Sequence, residues 1–122
     1  MEFYKCKHCG NIIAFVKNKG EKVSCCNEEM IQLKAGSVDA SQEKHVPVYH
    51  KEGNKIVVSV GSVSHPMSEE HYIEWIALVT NNGNQRKVLS PSDKPEAIFY
   101  VDEKDEVKEV YAYCNLHGLW KA

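Results

Sequence analysis

Cysteine and histidine carry most of the chemistry available to this chain. Of its five cysteines, Cys6, Cys9, Cys25 and Cys26 fall within the first 26 residues, and Cys114 stands near the far end. Five of the six histidines (His45, His50, His65, His71 and His117) come after residue 40. An odd number of cysteines, two of them adjacent, fits poorly with a set of disulfides, and metal binding accounts for thiols and imidazoles together. Cys6-Lys7-His8-Cys9-Gly10 is a C-x-x-C-G knuckle, in which two thiolates can hold one ion while the backbone turns at the glycine. Cys25-Cys26 would complete a tetrahedral set suited to zinc or iron. Sites of this kind usually repeat the C-x-x-C knuckle, so a contiguous second pair is expected to distort the tetrahedron. The residues alone leave open a zinc ribbon that only holds the fold and an iron centre. With four thiolates at hand, His8 is expected to stay outside the ligand set.

The second group is spread over Glu43-Lys44-His45-Val46-Pro47, Ser64-His65-Pro66-Met67, Glu70-His71-Tyr72 and Cys114-Asn115-Leu116-His117. Each histidine stands beside proline or charged residues, in positions that suit strand ends and loops. Such placement allows ligands to gather from several segments at one edge of a fold. Four imidazoles and one thiolate make five donors, whereas structural zinc takes four, so the set argues for iron with one open position. Taken singly, each of these histidines reads as an exposed loop residue and Cys114 as a small buried apolar one. Their joint occurrence and the C-x-x-H pair give them weight. His50, in Val48-Tyr49-His50-Lys51, belongs to no cluster and is given no role.

The two groups are separated along the chain, with a break near Lys34-Ala35-Gly36-Ser37, so residues 1–36 and 37–122 read as two domains. The first lies below the roughly 40-residue limit for folding on a hydrophobic core alone, and its four cysteines supply the staple. The second reads as β structure. Lys55–Val60 is β-branched and follows a turn at Glu52-Gly53-Asn54. Tyr72–Val79 alternates so as to place Ile73, Trp75, Ala77 and Val79 on one face. Asn81-Asn82-Gly83-Asn84 is a hairpin turn, and 86–89, 97–101 and 107–113 are further strands. No segment keeps a helical period. Short strands with turns at this spacing predict an antiparallel β-sandwich. A net charge of −2 argues against bulk binding to nucleic acid or an anionic membrane. No apolar stretch is long enough to span a bilayer, and the first residues lack a secretory signal, so a cytoplasmic location is expected.

The same residues carry a family resemblance. Cys6-x-x-Cys9 with Cys25-Cys26 resembles the desulforedoxin motif, and the four histidine- and cysteine-bearing segments resemble the superoxide reductase core. Together they span nearly the whole chain in the order of the desulfoferrodoxins, the two-iron superoxide reductases. The resemblance implies an all-β chain, with a small desulforedoxin-like domain followed by an immunoglobulin-like sandwich, paired as a homodimer. It implies two iron ions per chain: one held by Cys6, Cys9, Cys25 and Cys26 as a distorted rubredoxin-like centre, the other equatorially by His45, His65, His71 and His117 with Cys114 axial. The implied activity is one-electron reduction of superoxide to hydrogen peroxide, with electrons from rubredoxin or a similar carrier. Glu43 would cap the oxidised iron, and Lys44 would attract the anion and organise water at the open face. Ferrous iron among neutral imidazoles and one thiolate keeps a net positive charge, which favours a small anion, and the axial thiolate stabilises the ferric state. Two other classes compete on chemistry: a dismutase, and a non-catalytic iron electron carrier or zinc-stabilised binding module. Colour separates the zinc form, because ferric thiolate absorbs visible light and zinc does not.

Overall fold

The computed structural model describes all 122 residues, which divide into two compact units, Met1–Lys34 and Ala35–Ala122. In the first, β1 (Phe3–Lys5) lies between β2 (Ile12–Ala14) and β5 (Ile31–Gln32), antiparallel to both. A separate hairpin joins β3 (Ser24–Cys25) to β4 (Glu28–Glu29). Its two loop residues, Cys26 and Asn27, have φ of 53° and 59°. Two successive left-handed residues make the turn whose twist matches an antiparallel pair. Asparagine accepts that conformation readily, but cysteine does so at a cost. The contiguous pair therefore strains the backbone at the second knuckle, where Cys26 must leave the strand that Cys25 ends. Only Phe3, Cys6 and Met30 are buried in this unit, too little apolar surface to hold residues in place unaided.

The second unit opens with a single helical turn, α1 (Gln42–His45), and continues in seven strands: β6 (Pro47–Glu52), β7 (Lys55–Val60), β8 (Ile73–Thr80), β9 (Gly83–Val88), β10 (Glu96–Tyr100), β11 (Val107–Cys114) and β12 (Gly118–Lys121). They form two antiparallel sheets, ordered β10-β7-β6 and β12-β11-β8-β9. This is the connection pattern of immunoglobulin-like sandwiches, with the second and sixth strands central to their sheets. Ile56, Val58 and Val60 of β7, with Ala97 and Phe99 of β10, meet Ile73, Ile76 and Leu78 of β8 and Val110, Ala112 and Cys114 of β11 in one core.

Three features depart from the sequence reading. The turn α1 is too short to leave a helical period. Strand β6 was not anticipated because it is an edge strand, exposed after Pro47, with no apolar alternation to mark it. Strand β12 is only four residues long. Alternation on β8 does not name the core face: Ile76 and Leu78 enter the core, while Trp75 lies opposite, stacked on Tyr113 with ring centroids 5.3 Å apart. Trp75 and Ala77 are themselves buried, so apolar alternation could not choose between the faces. A register shift in the β8–β11 ladder, between Tyr113 and Cys114, then brings Ile73 to the core side. No helix is long and apolar enough to cross a membrane.

Candidate metal centres

In the first unit the sulfurs of Cys6, Cys9, Cys25 and Cys26 all lie within 4.8 Å of one another. Cys9 and Cys25 are 3.6 Å apart and Cys25 and Cys26 are 4.0 Å apart. A tetrahedral ion with metal–sulfur bonds of about 2.3 Å sets sulfurs about 3.8 Å apart, so the cage has the size of one ion. Gly10, at φ 82°, turns the first knuckle, and its N–H donates to the Cys6 carbonyl at 3.0 Å. N–H groups then point at the sulfurs: Cys9 N to Cys6 Sγ at 3.5 Å, Asn11 N to Cys9 Sγ at 3.5 Å, and Asn11 Nδ2 to Cys25 Sγ at 3.7 Å. The Cys9 N–H lowers the Cys6 thiol to about 6, whereas the neighbouring sulfurs Cys9 and Cys6 push Cys26 up to about 12. Four thiolates cannot share this space without a cation to neutralise them. His8 points away, its Nε2 held by Glu28 at 2.8 Å.

The second cluster is assembled from ends of strands at one edge of the sandwich. His45 closes α1 just before β6, His65 follows β7, His71 precedes β8, Cys114 ends β11, and His117 lies in the turn to β12. Cys114 shares the inward face of β11 with Val110 and Ala112 and is fully buried. The four imidazoles form a pinwheel. Neighbouring rings His45–His65, His65–His71, His71–His117 and His117–His45 have centroids 4.6, 4.6, 5.0 and 4.8 Å apart and planes at 82°, 80°, 79° and 84°. Across the ring, His45 and His71 face each other at 6.1 Å. The donor atoms of His45, His65, His71 and Cys114 lie within 4.8 Å of one another, and His117 Nδ1 is 3.8 Å from Cys114 Sγ.

Hydrogen bonds decide which nitrogen each ring offers. His45 Nδ1 donates to the Ser41 carbonyl at 2.6 Å, and His65 Nδ1 to the Pro66 carbonyl at 2.7 Å, so both present an unprotonated Nε2 to the centre. His117 presents Nδ1 instead, 3.0 Å from His45 Nε2. His71 Nε2 is buried without a hydrogen-bond partner, a cost the protein bears only if another group satisfies it. The His45 and His65 Nε2 atoms are 3.2 Å apart. Two nitrogens bound at right angles to one ion at about 2.1 Å would stand about 3.0 Å apart. Burial pushes His65 down to about 4 and lowers His45 and His71 as well, with the other imidazoles adding to the effect. The rings are therefore neutral and ready to donate. Burial raises the Cys114 thiol, against the N–H groups of His117 and Leu116, which lower it.

A profile described as "Desulfoferrodoxin" matches residues 37–122, and one described as "Desulfoferrodoxin, N-terminal domain" matches residues 1–33. The chain belongs to the desulfoferrodoxin family. It is 49% identical over 121 residues to the desulfoferrodoxin of Nitratidesulfovibrio vulgaris, covering 99% of this chain and 94% of that one. The superoxide reductase of Pyrococcus horikoshii is 38% identical, over 75% of this chain and 95% of its own. Among solved structures, the superoxide reductase from Treponema pallidum superposes with a TM-score of 0.83 at 39% identity, covering 99% of this chain and 97% of that chain. With this family membership, the tetrathiol cage and the imidazole–thiol cluster fit two iron centres.

Glu43 and Lys44 both lie on α1 with exposed side chains. The positive charge of Lys44 contributes to the lowering of His45 and His71, after burial and the neighbouring imidazoles. The turn is pinned from beneath: the Glu43 carbonyl accepts from Val63 N at 3.0 Å and from Ser62 Oγ at 3.2 Å. Gly61 is required there, since a Cβ would stand 2.5 Å from the Glu43 carbonyl oxygen and 2.9 Å from that of Val46. His50 is exposed and pairs with Glu52, away from the cluster. Sequence reasoning missed the supporting residues. Trp120 lies against the His45 ring, 4.9 Å between centroids, and its Nε1 donates to the His117 carbonyl at 3.0 Å. Gly61 left the one usable signal, a glycine ending a β-branched run.

Proposed function

We propose that this chain is a superoxide reductase, adding one electron and two protons to superoxide to give hydrogen peroxide. The observation that carries the reading is the pinwheel of four imidazoles around one point, with the Cys114 thiol buried on the sandwich side of it. That set offers five donors, one more than structural zinc takes. In this reading His45, His65, His71, His117 and Cys114 would hold one iron, and Cys6, Cys9, Cys25 and Cys26 would hold the second. Iron held there would supply the electron and the affinity for a small anion. The chain's own residues do the rest. The buried Cys114 sulfur, shielded from water and met by backbone N–H groups, would donate electron density to the ion. Lys44, whose charge bears on His45 and His71, would draw the anion toward the centre. Water ordered by Lys44 would supply protons, and Glu43, one residue earlier on the same turn, would cover the site after product leaves. Electrons return from a rubredoxin-like carrier, and the protein works as a cytoplasmic homodimer. The test is stoichiometric. Reduced, iron-loaded protein exposed to superoxide under anaerobic conditions should give hydrogen peroxide without oxygen. Evolution of oxygen alongside peroxide would instead establish a dismutase, and stoichiometric zinc in the imidazole site of protein from its native source would remove the reading.

A further inference from the structure

Three of the five donors of the imidazole centre, His71, Cys114 and His117, come from two segments that one side chain ties together. Asn115 sits between Cys114 and Leu116. Its Oδ1 accepts from the Tyr72 N–H at 2.9 Å, and its Nδ2 donates to the Glu70 carbonyl at 3.0 Å. The Asn115 N–H adds a third bond, to the Tyr72 carbonyl at 3.2 Å. Both residues flanking His71 are therefore held by the residue that follows Cys114. The partners also fix the amide's orientation, since an N–H can only donate and a carbonyl can only accept.

His71 has particular need of this support. The rings of His45 and His65 are each oriented through Nδ1 by a carbonyl of their own segment, whereas the His71 Nε2, buried and turned to the centre, gives its ring no such anchor. The remaining bonds to the His71 backbone come from Ser68, in the same loop, and travel with it: Ser68 N to the His71 carbonyl at 3.0 Å and His71 N to the Ser68 carbonyl at 3.2 Å. They shape the loop without locating it against β11. The register shift between Tyr113 and Cys114 falls at this point, where the regular ladder can no longer set the spacing. The Asn115 amide bonds continue the attachment past that irregularity.

We propose that Asn115 is a positioning residue for the metal centre, fixing the His71 ring relative to Cys114 and His117. This rests on the reading of the cluster as an iron site. No other side chain of similar size satisfies both partners: aspartate keeps the Tyr72 bond but turns a carboxylate oxygen toward the Glu70 carbonyl, and alanine loses both. The thiolate–iron interaction depends on where its cis ligands stand, so loosening His71 should change the spectrum as well as retention of the ion.

The experiment compares iron-loaded wild type, Asn115→Ala and Asn115→Asp. It follows the thiolate charge-transfer band and ferric EPR rhombicity of the imidazole centre, the rate of iron loss to a chelator, and the melting temperature. In both variants the band and rhombicity should shift and iron loss should quicken by about ten- to a hundred-fold, the range typical of residues that orient a metal's ligands. Asn115→Asp, which keeps one bond, should fall between alanine and wild type, and it is read alone if alanine prevents folding. A lower melting temperature with wild-type spectrum and wild-type iron loss would make Asn115 an ordinary loop brace and overturn the proposal. Absence of the thiolate band from wild type would instead count against the iron reading on which it rests.

Discussion

At the scale of single residues, the cluster combines two properties that water would separate: neutral imidazoles and a thiol that is hard to ionise. Burial keeps His65 unprotonated down to about pH 4, against an ordinary value of 6.5. The unfolded chain therefore takes up a proton at His65 near 6.5, while the folded metal-free chain resists until about 4. Between those values the unfolded state binds more protons, so the stability of metal-free protein should fall as pH is lowered through that window. Denaturant titrations above and below it would check this. Cys114→Ser should remove the thiolate band and lower superoxide turnover by about two orders of magnitude. An unchanged spectrum would show that Cys114 does not reach the metal. Lys44→Ala should slow the second-order reaction with superoxide about ten-fold and flatten its dependence on salt, because the charge removed is exposed and open to screening. Pulse radiolysis across a salt series measures both.

The elements matter chiefly as ends. Strands β7, β8 and β11 run through the core, and His65, His71, Cys114 and His117 sit at or just beyond their ends, so a rigid scaffold fixes loops that would otherwise move. The turn α1 is the least regular part, and it carries Glu43, Lys44 and His45 together. Its seat is the segment 61–63, where the absence of a side chain at Gly61 lets two backbones touch. Gly61→Ala should cost about 1–3 kcal/mol, as overpacking does. Because the contact is with the carbonyls of Glu43 and Val46, the displacement should fall on His45 and Lys44. The readout is a changed imidazole-centre spectrum in folded protein, with the tetrathiolate spectrum unaltered.

Taken whole, the molecule is two units with separate ligand sets, and each centre is complete within its own unit. Cys9→Ser should bleach the tetrathiolate centre and loosen residues 1–34, where metal binding supplies much of the folding free energy. The imidazole centre should still reduce superoxide in a single-turnover pulse. A collapse of that first reduction, with the imidazole site fully iron-loaded, would show that the units are not chemically independent.

What the sequence determined by itself was the chemistry: which residue types were present, their order, and the break between thiol-rich and imidazole-rich segments. Those are properties of spacing, and the C-x-x-C-G and C-x-x-H pairs state them locally. The strands that alternate cleanly or lie between strong turns, such as 55–60 and the pair around Asn81-Asn82-Gly83-Asn84, were legible for the same reason. Tertiary structure decided the rest, because the deciding contacts join residues far apart in the chain. It set the face of β8, where both sides are buried and a register shift intervenes. It brought His45 to within 3.0 Å of a histidine 72 residues away. It also gave Asn115 and Gly61 their roles, since an amide or a missing Cβ acquires meaning only from the backbone packed against it.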